Sequence, residues 1–228
     1  STTVIRTGMA KDGMDKVVVF LAKRDGIDKL VKTFQYVSKL LVWRVEASHP
    51  GLARRARQLE SATGLSRKAF RTGRFLSGLN ALRRGPGGTP ALRLFSILAN
   101  AGEMVYFLFD HLLFLSRIGT LDANAARRLS FVSAFGESVG YVFFITLDLI
   151  AIREGFARSA LKGGRDGGAE ERVRAERAMR AAAVAANVAD LIIAAAEVEP
   201  NRFCNHAVSL GVSGLVSAWA GWYRNWPS

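Results

Sequence analysis

Only one cysteine, Cys204, stands among the 228 residues. An intrachain disulfide therefore cannot form, which excludes a secreted, disulfide-stapled class and fits a reducing or cytosol-facing compartment. Acids are scarce at one end. Residues 1–94 hold 6 Asp/Glu against 19 Lys/Arg while residues 95–228 hold 13 against 13, so the whole net charge of +13 sits in the first part. The first sixteen residues lack the apolar core, about 7–15 residues long, of a secretory signal. Their acids argue against a mitochondrial presequence, and the final Trp-Pro-Ser is no Ser-Lys-Leu type address.

Long charge-free runs are also few. Four apolar segments, approximately 91–116, 129–152, 181–199 and 206–223, approach the roughly 17–25 residues that cross a bilayer. The first carries Glu103, Asp110 and His111, the second Glu137 and Asp148, the third Asn187, Asp190 and Glu197. A charge at membrane depth costs several kcal/mol unless it is paired or faces a bundle interior, so these three read equally as buried or surface-lying helices. The fourth has no charge from Ala207 to Tyr223 and is the best spanning candidate. Ser213, Ser217 and Gly221 give it a small residue every fourth position for close helix contact, and Trp219, Trp222, Tyr223 and Trp226 fit an interfacial belt.

Catalytic and metal motifs are missing too. Glu103 with Asp110, and Glu137 with Asp148, share helix faces and invite a carboxylate-pair or dinuclear metal reading, yet no Glu-x-x-His accompanies them. Cys204 and His206 are too few ligands for zinc. The glycines of residues 163–168 make no G-x-G-x-x-G or Walker pattern, so no nucleotide cofactor is expected. The surplus of cations raises nucleic acid as a partner, but they are interleaved with amphipathic stripes and no zinc-finger, RNA-recognition or basic-zipper pattern appears. Lipid headgroups explain charge and apolarity together. The expectation is a protein without enzyme activity, cofactor, metal or nucleic acid.

What remains is helical. With 50% hydrophobic and 22% charged residues the composition suits a membrane-associated protein with a polar half. The reading divides the chain into a basic amphipathic region (1–84), a Gly/Pro linker (85–90), an apolar helical pair (91–160), a charged spacer (161–180) and a carboxyl-terminal apolar hairpin (181–228) turning near Pro200. Met14 to Ala22 is one short helix. Ile27, Leu30, Val31, Phe34, Val37, Ser38 and Leu41 recur at helical spacing in the next, which Asp25 or Asp28 would cap, with Lys29, Lys32 and Lys39 off the stripe. After a break at Pro50 and Gly51 a polar helix runs to about Thr63, and Gly64 is expected to end it. Glu176 and Arg180 in the spacer form an i,i+4 pair.

Residues 65–84 form the most informative helix. Leu65, Ala69, Phe75, Leu76, Leu79 and Leu82 fall within about a 140° arc at about 100° per residue, with Arg67, Arg71 and Arg74 beside it; Lys68 intrudes and Phe70 lies off the stripe. Such a basic amphipathic segment can lie in the headgroup plane with its arginines on anionic lipid phosphates. The membrane-binding set is then Leu65, Arg67, Lys68, Phe70, Arg71, Arg74, Phe75, Leu76, Leu79 and Leu82, joined by Trp219, Trp222 and Tyr223 of the last segment. The alternative is that Leu65, Leu76 and Leu79 pack on the preceding helices and leave a solvated arginine edge.

Asp28, Lys29, Lys32, Gln35, Tyr36, Ser38, Lys39 and Leu40 resemble the amino-terminal signature of the peroxin-11 family of peroxisomal membrane proteins. Ser66, Arg67, Lys68, Arg71, Arg74 and Phe75 are similar to that family's next block. The resemblance implies that the 65–84 helix enters the cytosolic leaflet of the peroxisomal membrane, bends it and elongates the organelle before fission, with homo-oligomerisation and recruitment of fission machinery. It also implies metabolite-pore behaviour, for which acids inside the apolar segments would be the relevant residues. A rival reading is an accessory structural subunit of a large membrane complex, respiratory or photosynthetic, in a mitochondrial or plastid membrane.

Overall fold

The structure, a computed structural model, describes residues 12–162 and 167–227, with the side chains of residues 157–169 outside that description. Expectations about the first eleven residues and much of the charged spacer fall outside it. Among the described residues all regular structure is helical: α1 (Gly13–Ala22), α2 (Arg24–Val45), α3 (Pro50–Phe70), α4 (Phe75–Arg84), α5 (Pro90–Arg117), α6 (Ala126–Lys162), α7 (Gly167–Val198) and α8 (Ala207–Asn225), with a 3-10 turn at Ala123–Ala125.

Local chemistry explains the ends. Asp12 caps α1 by accepting from the Asp15 amide at 2.8 Å. Pro50 and Pro90 open α3 and α5 at the first helical position, where a missing N–H costs nothing. Neither Asp25 nor Asp28 caps α2; its N-cap is Lys23, which makes no side-chain cap bond, and Asp28 is buried further along. Gly64 does not stop α3 either. A Cβ there would stand 3.0 Å from Gln35 Nε2, so this glycine serves the close approach of α2 rather than termination. The stop comes at Gly73, whose φ of +73° a residue with a side chain adopts only at a cost. The single helix expected over 65–84 is therefore two pieces, the end of α3 and a separate α4.

Neighbouring helices close a ring. α3 lies on α2, α2 on α8, α8 on α7, α7 on α6, α6 on α5, and α5 touches α3; α4 lies along α5. Small residues make the tightest crossings. A Cβ on Gly102 of α5 would meet Gly140 N at 2.5 Å and Gly136 O at 2.7 Å of α6. Gly211, Gly214 and Gly221 of α8 receive Leu40, Tyr36 and Lys29 of α2 in antiparallel order, and Ser213 and Ser217 are buried nearby. The close contact expected of that face is real. At one end α1 plugs the ring, with Phe20 fully buried against Trp222 and Trp226 at ring distances of 4.7 and 5.7 Å.

Polarity runs opposite to that of a water-soluble domain. Asp28, Lys32, Arg67 and Asp110 are buried, whereas Phe34, Val37, Leu41, Leu108, Phe131, Phe135, Val142, Leu149 and Trp219 are exposed. The helical stripe of α2 faces outward at Phe34, Val37 and Leu41, and the helix buries Ser38 of that stripe together with Asp28, Lys32 and Tyr36. So much exposed large apolar surface matches a hydrocarbon surround, not water. Among the described residues three helices are long and apolar enough to cross a membrane, at Pro90–Arg117, Ala123–Phe156 and Glu170–Val198. These are the three segments that the acids placed in doubt. α8, ranked first from sequence, is not among them: its charge-free stretch stops at Tyr223, and Arg224 and Asn225 follow within the same helix.

Candidate functional site

The buried charges meet in the middle of the ring. Arg67 of α3 donates from Nε to Asp28 Oδ1 at 3.1 Å and from Nη1 to Gln35 Oε1 at 2.8 Å. Asp28 and Gln35 belong to the first sequence block and Arg67 to the second, so the two blocks are halves of one site. Lys39 with Glu60, at 2.6 Å, joins the same two helices nearer the far end.

From the second block Lys68 and Arg71 both reach Asp110 of α5, the latter at 3.3 Å, and Arg71 also donates to the Tyr106 hydroxyl. Across the ring Lys32 of α2 donates to Asp190 Oδ1 of α7 at 2.5 Å and to Ser217 Oγ of α8 at 2.6 Å, while Ser217 donates to Asp190 Oδ2 at 2.6 Å. Tyr141 of α6 donates to Glu137 at 2.9 Å and lies 3.4 Å from Asp190. Of the acids that looked costly inside the apolar segments, Asp110 and Asp190 are thus matched by cations from α2, α3 and the α3–α4 turn, Asp148 pairs with Arg180 of α7 at 3.1 Å, and Glu137 and Glu197 accept from Tyr141 and Ser130.

Among the ionisable groups outside the three spanning helices, Asp28 and Lys32 carry clear shifts. Burial by itself raises the Asp28 carboxyl, but Arg67, Arg71, Lys29 and Lys32 outweigh it and hold the group well below the usual carboxylate range. Burial pulls the Lys32 ammonium below the ordinary lysine value, with Asp190 opposing.

Two cavities flank this network. One of about 810 Å³ is walled by residues of α2, α5, α6, α7 and α8 together with the α3–α4 turn, among them Lys29, Arg74, Glu103, Asp148, Arg180 and Arg224. The other, about 630 Å³, is walled by α2, α3, α5, α6 and α7, including Lys32, Gln35, Arg67, Lys68, Arg117 and Glu197. Arg71, Tyr106, Glu137 and Asp190 line both and form the partition between them.

The expected membrane-binding residues divide. Phe70, Leu76, Leu79, Trp219 and Tyr223 are exposed. Phe75, Leu82 and Trp222 are half-buried, Trp222 against Phe20, and Leu65 lines the smaller cavity. Arg67, Lys68 and Arg71 point inward to carboxylates, and Arg74 pairs with Asp25 at 2.8 Å with its guanidinium over the Phe107 ring. These four cations lie in ion pairs in this structure; Arg83 and Arg84 are the exposed ones on α4. Of the signature residues, Asp28, Lys32, Tyr36 and Ser38 are buried in the ring, Lys29 and Gln35 line its cavities, and Lys39 is paired with Glu60. Sequence reading missed Tyr106, Tyr141 and Ser217 as members of the network. The available signal was Asp110 and Asp190, acids in apolar segments that demand polar partners.

A family model described as Peroxisomal biogenesis factor 11 (PEX11) matches residues 14–226. Peroxisomal membrane protein 11-4 of Oryza sativa subsp. indica is 68% identical over 223 residues, covering 96% of this chain and 99% of that protein. Peroxisomal membrane protein 11B of Arabidopsis thaliana is 60% identical over 227 residues, covering 96% and 100%. Peroxisomal membrane protein 11 homolog of Dictyostelium discoideum is 23% identical over 243 residues, covering 94% of each. No solved structure matches the chain.

Proposed function

The chain belongs to the PEX11 family and is a peroxisomal membrane protein, and from that premise we propose that it shapes the membrane in which it sits, α4 wedging into the cytosolic leaflet to elongate the organelle before fission. The peroxisomal placement stands in preference to the mitochondrial or plastid one. The observation that carries the reading is the outward apolar edge of α4, with Leu76 53% and Leu79 49% exposed and Phe70 38% exposed at the end of α3. A helix entering one leaflet expands that leaflet relative to the other, and clustered copies favour a tube over a flat sheet. Headgroup contact falls to Arg83 and Arg84, at the cationic end of α4, each worth roughly 1 kcal/mol on an anionic surface. Self-association and recruitment of fission machinery belong to the same reading; an apolar groove of about 570 Å³ between α6, α7 and α8, lined by Leu149, Val188, Val212 and Val216, offers a surface for a second copy. The full chain, reconstituted in anionic vesicles, is expected to draw them into tubules, and Leu76→Glu with Leu79→Glu to lose that activity. Unchanged tubulation by the double variant would remove α4 from the mechanism.

A second reading rests on the interior. Two polar cavities in line, divided by Arg71, Tyr106, Glu137 and Asp190 inside an apolar exterior, have the layout of a path for small polar solutes. Osmotic swelling of vesicles containing the protein, in small organic acids or sugars, tests this. Swelling no faster than in protein-free vesicles refutes it.

A further inference from the structure

We infer that α4 is a hinged strap: docked on α5 as seen here it is at rest, and it deforms a bilayer only after swinging off α5. The inference rests on the remodelling proposed above and adds the step that regulates it.

Both ends of α4 are built to move. Gly73 (φ +73°) precedes it, and Gly85 (φ +72°) follows, continuing into Pro86, Gly87 and Gly88 (φ +97°). Glycine populates both signs of φ with little penalty, so these joints change direction without strain elsewhere. α4 itself is shallowly held. Gly78 is its one buried residue, and a Cβ there would meet Asn100 O at 2.9 Å and Met104 Cβ at 3.3 Å. The contact with α5 exists because this position has no side chain. At the leading end Arg74 pairs with Asp25 of α2, which is 42% exposed so that solvent and salt screen the pair, and its guanidinium rests over the Phe107 ring of α5 at 4.9 Å.

The docked state also hides part of the apolar surface a wedge needs. At about 100° per residue Phe75, Leu79 and Leu82 share one narrow arc with Leu76 at its edge. Phe75 and Leu82 are half-buried while Leu76 and Leu79 are exposed. Leaving α5 frees all four. A ten-residue helix is marginal in water and needs a surface to lie on, either α5 or the lipid interface. α4 therefore has two alternative surfaces and a hinge at each end.

The test locks the strap and then forces it open. Gly78→Cys with Met104→Cys, in a Cys204→Ser background, places two thiols at a Cβ separation near disulfide range. In anionic vesicles the oxidised full-length protein is expected to lose tubulation several-fold and to regain it on reduction. Gly78→Val crowds Asn100, pushes α4 off α5 and is expected to raise tubulation several-fold at equal protein density. Equal activity of the oxidised and reduced forms, or a folded Gly78→Val protein no more active than wild type, overturns the strap and leaves α4 acting while docked. Inactivity of wild type and the reduced form alike overturns the remodelling reading, and the strap with it.

Discussion

Asp28 shows how a single side chain organises the interior. It is 1% exposed, on the second turn of α2, yet it stays charged because Arg67 binds it and Arg71 and Lys29 stand close by. A carboxyl depressed in the folded state contributes stability above its ordinary value near 4 and loses it as pH falls toward the folded value. The detergent-solubilised protein is therefore expected to keep its thermal midpoint from about pH 7 down to about pH 5 and to lose stability steeply below about pH 4. Asp28→Asn lowers the midpoint at neutral pH and flattens this acid limb; thermal scans across the range report both. The pair Lys32 and Asp190 obeys a different rule. Removing one buried partner leaves the other uncompensated and costs about 3–5 kcal/mol, whereas replacing both with apolar residues is often neutral. Lys32→Met alone is thus expected to destabilise strongly and Lys32→Met with Asp190→Leu to recover most of the loss, as read from the two unfolding midpoints. The cation was visible in the sequence as a residue off the apolar stripe of α2. That it faces inward was not, because the stripe itself faces out.

At the level of elements, glycine has two opposed uses that sequence alone does not separate. Gly64, the expected helix end, is a contact point; Gly73, inside the single helix expected over 65–84, is where that helix breaks. The difference lies in what packs on each position, since Gln35 crowds Gly64 and nothing lies within 4 Å of a Cβ at Gly73. The α5–α6 crossing depends most on the first use. Gly102→Leu would drive a side chain into the backbone of Gly136 and Gly140, parting two spanning helices and moving Tyr106 and Glu137 away from the partition. The expected outcome is a loss of about 3 kcal/mol, the upper end of what overpacking ordinarily costs, read as a lower midpoint and faster proteolysis in detergent. The elements themselves were largely legible: helices begin at Pro50 and after the Gly/Pro linker as expected, and the four apolar segments lie on α5, α6, α7 and α8, although α6 and α7 run on into the expected charged spacer.

For the whole molecule the decisive property is the arrangement of an apolar outside around a charged inside. Three helices among the described residues long and apolar enough to cross a bilayer, with many large apolar side chains exposed, predict that the protein stays with the membrane pellet after extraction at alkaline pH. Release into the supernatant would show that the exposed apolar surface lies on protein partners and not in hydrocarbon. Amino-acid order by itself determined the helical class, the membrane association and the breaks at Pro50 and the Gly/Pro linker, because periodicity, proline, glycine and charge density act over a few neighbouring residues. Only the tertiary structure decided which way each amphipathic face turns. A stripe of leucine and phenylalanine seeks any apolar surround, lipid or protein, and the choice falls to the ion pairs that Asp28, Asp110 and Asp190 make with cations more than thirty residues away.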